Sequence, residues 1–123
     1  MKTAALKALS MEALIEKYRT ASAKHGHATD EAKPGVANKA FDTLVALRRE
    51  LRSRGDDGWQ SLRPLLRDPE QGTRYWAATF LLEFAPEEAV SVLSELAGIP
   101  ESLVGFSAAM VLKQWKEGTF KPA

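Results

Sequence analysis

The chain has 123 residues, with 17 basic and 16 acidic side chains and a formal net charge of +1, a balance that leaves no overall field to draw in nucleic acid or an anionic membrane. With no cysteine, disulfides and thiolate metal sites are excluded, and no run reaches the roughly 18 apolar residues of a membrane span. A chain of this length is expected to form one domain, 1–123, burying about two thirds of its unfolded surface. Lys2 and Lys7 interrupt the opening MKTAALKAL before a signal-peptide core can form, so a soluble, cytoplasmic protein is expected.

Proline and glycine punctuate the sequence at helix-length intervals, and alternating β-branched runs joined by hairpin turns are missing. An all-α fold of six helices is predicted. The first carries Met11, Leu14, Ile15 and Tyr18 on one face and ends near Gly26. A loose stretch, HGHATDEAKPG, follows. The second begins with Pro34 in its first turn and runs through Phe41, Leu44, Val45 and Leu51 to a left-handed stop at Gly55. The third is short, with Asp57 and Gln60 at capping-box spacing, Leu62, Leu65 and Leu66 on its buried side, and Pro64 bending it. Asp68 as N-cap, Pro69 and Gln71 open the fourth; the fifth runs from Pro86 to Gly98, and the sixth from about Glu101 to Gly118.

A shift of 31 residues superposes the last four helices as two copies of one unit. Leu62 maps to Leu93, Leu65 to Leu96, Pro69 to Pro100, Glu70 to Glu101, Ala77 to Ala108, Ala78 to Ala109, Leu81 to Leu112 and Phe84 to Trp115. The unit is a short helix, a tight turn and a longer helix whose Ala-Ala pair permits close approach. The chain thus divides into a divergent N-terminal hairpin (1–55), a first repeat (59–85) and a second repeat (86–118).

Stacking also accounts for RYWAATFLLEF, residues 74–84, which is apolar nearly all round. As the long helix of a middle hairpin it is expected to touch its own partner and the second and sixth helices. Thr73, Ala77, Phe80, Leu81 and Phe84 then point to its partner, while Tyr75, Thr79 and Leu82 face outward. Their equivalents in the sixth helix are Phe106, Met110 and Lys113. A surface strip of Tyr75, Leu82, Phe106 and Met110 is predicted along the long helices, with Asp42 and Arg49 as a polar rim.

The segment LRPLLRDPEQGTRYWAATFLLEF resembles a HEAT-type repeat, with Asp68 and Arg74 at the positions of the pair that ties neighbouring turns together in such repeats. The second copy departs, having Ile99 and Gly105 there. The segments KHGHAT, ANKAFD, LRRELRSRG, RYWAA and LKQWKEG resemble a small bacterial family, the domain-of-unknown-function family numbered two thousand and nineteen, from about Leu14 to Gly118. These resemblances imply a right-handed α-α superhelix of about three hairpins, HEAT-like or armadillo-like, without an established activity.

Candidate chemistry is sparse. His25 and His27 lack the third and fourth ligands that zinc demands; they read as a polar helix end, with His25 near the negative terminus. Asp56/Asp57 and Glu87/Glu88 read as caps and dipole partners rather than an acid–base pair. The serines are scattered away from both histidines, which argues against a nucleophilic triad. The chain therefore reads as no enzyme, with no metal and no cofactor. Arg48, Arg49, Arg52 and Arg54 could contact phosphates, but no glycine cradle or stacking platform accompanies them, and they read as a solvated helix end with Glu50 paired to Arg54.

The leading expectation is a protein-interaction module using Tyr75, Thr79, Leu82, Phe106 and Met110, with a second copy of the chain or the N-terminal residues as alternative covers of the strip. An immunity protein neutralising a bacterial toxin is one alternative. Nucleic-acid or small-molecule binding by a helical-repeat protein is another.

Overall fold

The computed structural model describes residues 3–121. Among the described residues every regular element is helical: α1 (Thr3–Lys7), α2 (Met11–Asp30), α3 (Pro34–Ser53), α4 (Asp56–Leu62) with a following 3-10 turn (Arg63–Arg67), α5 (Gln71–Leu81), α6 (Pro86–Ala97) and α7 (Leu103–Glu117). Seven α-helices stand where punctuation predicts six, the addition being α1. Its Leu6 is fully buried, and Arg54 of the loop after α3 donates to the carbonyls of Leu6 (3.2 Å) and Leu9 (2.8 Å).

Several boundaries differ from expectation for local reasons. Ser10 caps α2 by accepting from the Ala13 amide at 3.1 Å, and α2 continues through HGHATD, the stretch expected to be loose. Gly26 does not stop it. The chain turns instead at Ala32, whose φ of 56° takes the left-handed conformation usually left to glycine, with the Lys33 amide bonded to the Ala28 carbonyl at 2.8 Å.

α4 has Gly55 rather than Asp57 as N-cap and no side-chain cap bond. Pro64 falls in the 3-10 turn, where the helix type changes because its ring removes an amide donor. α5 starts at Gln71 with Glu70 as N-cap. Asp68 stands before it, accepting from the Glu70 amide at 3.1 Å and from Arg19 Nε at 2.8 Å. Asp68 thus ties the turn to α2, and the Asp68–Arg74 pairing implied by the HEAT resemblance does not form.

The packing order is set by α2, which lies against α3 and also against α5. α5 packs on α6, α6 on α7, and α7 reaches back to α5. α5 meets α3 through side chains, as expected, with Phe41 and Arg48 reaching Trp76 and Thr79; it also packs closely on α2, because glycines let those two backbones close in. A Cβ on Gly26 would lie 3.2 Å from Gly72 Cα, and one on Gly72 only 2.7 Å from the Ser22 carbonyl oxygen. Beside this contact the hydroxyls of Ser22 and Thr73 are 3.0 Å apart, and Tyr18 Oη donates to the Trp76 carbonyl at 2.7 Å. Gly72, Thr73 and all residues from Trp76 to Leu81 are buried, and Ala77 and Ala108 are both fully inaccessible.

Candidate protein-binding surface

α7 is held firmly along one side and open along the other. Its start is fixed by Ser102, whose hydroxyl accepts from the Gly105 amide (2.9 Å) and donates to Gln71 Oε1 on α5 (2.8 Å). Gly105 sits where a Cβ would lie 2.5 Å from the Leu96 carbonyl oxygen, so α6 and α7 cross closely. Gly118, at φ 76°, ends the helix. Val104, Ala108, Val111 and Leu112 face inward. Leu103, Phe106 and Met110 form a line on the outer face at helical spacing, 48%, 68% and 43% exposed.

The predicted strip is therefore not continuous. Phe106 and Met110 lie on the surface, Tyr75 is half-buried, and Thr79 (3% exposed) and Leu82 (1%) are in the core. Thr79 is covered from α3, where Arg48 donates to its hydroxyl, a contact that helix periodicity alone could not orient. Asp42 and Arg49 are exposed on α3.

Tyr75 instead belongs to an aromatic cluster that sequence reasoning missed. Its ring meets Trp76 edge-on at 5.1 Å, and Trp76 also contacts His25 of α2 (5.0 Å) and Phe41 of α3 (5.7 Å). Arg48, 3% exposed, lies over Trp76 (5.2 Å) and Phe80 (6.0 Å) and donates to Thr79 Oγ1. Among the described residues it has no carboxylate in ion-pair range, so ring faces and a hydroxyl supply its stabilisation. Burial raises the phenol pKa values of Tyr18 and Tyr75, opposed by the Arg48 charge. Burial also lowers that of His25, which sits within α2 rather than at a helix end. The only signal for this cluster was an arginine in register with apolar residues of α3, and a long flexible cation there reads equally well as solvated.

The basic run is largely turned into the fold. Arg48 is buried, Arg52 pairs with Glu83, and Arg54 pairs with the buried Glu50 at 2.9 Å while holding the turn after α1. Arg49 alone of the four points outward as an exposed residue. The acidic pairs fall in first turns as expected: Asp56 accepts from Trp59 Nε1 at 3.1 Å, and Glu88 pairs with Arg63. No helix among the described residues is long and apolar enough to cross a membrane.

The sequence profile of one family, described as a domain of unknown function (DUF2019), matches residues 12–115. The chain belongs to the DUF2019 family. That match runs from the start of α2 to the last turns of α7, so it includes both the aromatic cluster and the open face of α7. Among solved structures, the crystal structure of protein RPA1889 from Rhodopseudomonas palustris CGA009 superposes with a TM-score of 0.88 at 24% identity, covering 96% of this chain and 98% of that one. The likeness shows a shared fold. Among curated proteins none matches the chain.

Proposed function

We propose that this DUF2019 chain is a non-catalytic protein-interaction module, a HEAT-like right-handed array of about three helical hairpins that grips a protein partner on the outer face of α7. The observation that carries the reading is the line Leu103, Phe106 and Met110, exposed at positions whose 31-residue equivalents on α5 are more enclosed: Gly72 against α2, Tyr75 half-buried and Thr79 under Arg48 of α3. A face built to receive a helix in one copy stands open in the next. Aromatic and methionine side chains supply much of the affinity at interfaces, and contiguous exposed apolar residues commonly mark them. The equal burial of Ala77 and Ala108 supports the repeat reading. In this reading Tyr75 borders the grip, while Thr79 and Leu82 support it from the core.

A photo-crosslinking residue at position 106, compared with one at the exposed Glu87 on α6, tests the surface in the native host. A partner captured at 106 and not at 87 supports the reading. Phe106→Ser with Met110→Ser should reduce that capture about tenfold or more at unchanged melting temperature, and capture insensitive to both changes would sink it. Sedimentation distinguishes a second copy of the chain from a different protein as the occupant.

A further inference from the structure

We infer that the groove between α2 and α3, which no residue of α7 lines, receives an acidic amphipathic helix of a partner protein. The groove has a volume of about 700 Å³. Its floor is made of small side chains: Ala13, Thr20 and Ala21 of α2, and Gly35, Ala40 and Thr43 of α3. From Ala13 to Lys24 it follows α2 for about 16 Å, or three helical turns. A second concavity of about 370 Å³ shares Lys24 and Val36 with it and prolongs it to Ala28, near the hairpin turn.

Charge selects the occupant. Lys17 and Lys24 stand two turns apart on α2, about 10 Å along the axis, and Lys39 stands on α3; all three line the groove. Among the described residues none of the three is ion-paired, while the acid at the rim, Glu16, lies 3.5 Å from Arg19. At the hairpin end the acid is Glu31, paired with Lys33 at 3.1 Å. The free charge bordering the groove is therefore positive, and a complementary partner is negative.

Shape selects a helix. A floor of alanine, glycine and threonine between two helices admits a third at close range, by the same device that lets α5 approach α2 at Gly26 and Gly72. The fitting segment has small or aliphatic residues along one face and Asp or Glu seven residues apart beside them, to meet Lys17 and Lys24, with a further acid across the face for Lys39. Val36, 38% exposed at the groove end, provides an apolar anchor point.

Selection of displayed helical peptides of about 15 residues, randomised in sequence, against the full chain tests this directly. Enriched peptides should carry the small apolar stripe flanked by acids. Binding of the strongest peptide, followed by fluorescence anisotropy, should fall about tenfold or more on Lys17→Glu/Lys24→Glu/Lys39→Glu and with added salt. Thr20→Trp, at an exposed groove residue, fills the groove without altering charge and should abolish it. Phe106→Ser should leave it unchanged, so failure here and failure of the α7 reading are separately visible. Peptides without acidic enrichment, or binding indifferent to the triple variant and to Thr20→Trp, would overturn the inference. So would a chain that selects no peptide yet sediments with phosphatidylglycerol vesicles through the same lysines.

Discussion

The outer faces of α5 and α7 fall in register on a 31-residue shift of the sequence, yet most of one is interior and the other is surface. On α5 the positions are Gly72, Tyr75, Thr79 and Leu82; on α7, 31 residues later, they are Leu103, Phe106, Met110 and Lys113. α2 closes on the first set at Gly72 and Arg48 of α3 covers it at Thr79, while the second stays open. A helix pattern states which residues share a face. It does not state whether another helix comes to rest there, since that depends on where α2 and α3 dock. Here glycine backbone at Gly26 and Gly72 decides the docking, and the face with the bulkier side chains remains exposed.

The comparison breaks most sharply at its buried end. Leu82→Ala should cost about 2–5 kcal/mol of stability, as a fully enclosed leucine leaves a cavity, whereas Lys113→Ala, its equivalent, should change stability by no more than about 0.5 kcal/mol. Denaturant unfolding of both variants measures the contrast, and equal losses would mean that α7 is covered as α5 is.

A smaller effect sharpens the contact itself. Gly72→Ala forces a methyl towards the Ser22 carbonyl, part of a helix backbone that cannot rotate aside, and should cost about 1–3 kcal/mol. Leu103→Ala at the same place on α7 should cost less than about 0.5 kcal/mol. A tolerated Gly72→Ala in thermal melts would show that the α2–α5 crossing is looser than the glycine pair implies.

The smallest effect is a pH dependence. Burial against Trp76 holds the His25 pKa below its ordinary value of 6.5, so the unfolded chain binds the extra proton more readily. Stability therefore falls as pH drops through that ordinary value. Between about pH 7.5 and about pH 5.5, His25→Gln should lose melting temperature less steeply than the unaltered chain, while Phe106→Ser keeps the full slope. Parallel slopes for His25→Gln and the unaltered chain would remove His25 from the buried cluster.

Much of the helical framework was legible because its signals are local. Pro34 and Pro86 open helices, Gly98 and Gly118 follow helix ends, and Leu14, Tyr18, Leu44 and Leu51 are core residues where periodicity puts them. Glycine was misread where its role is not local: Gly26 looks like a stop in sequence, but its missing side chain serves a neighbouring helix. Asp68 likewise looks like a cap and instead holds Arg19 across 49 residues of chain. The candidate surface was half legible. Phe106 and Met110 are exposed as expected, while Thr79 and Leu82 are not.

The sequence by itself determined an all-helical chain and the apolar side of most helices, since propensity, periodicity and capping act within a few residues. Only the tertiary structure decided that α2 crosses α5 at the glycine pair, that Arg48 is held among rings, and that α7 keeps an open apolar line. Those outcomes depend on how closely two backbones can approach and on which surfaces compete for the same neighbour. Both are properties of residues far apart in the chain.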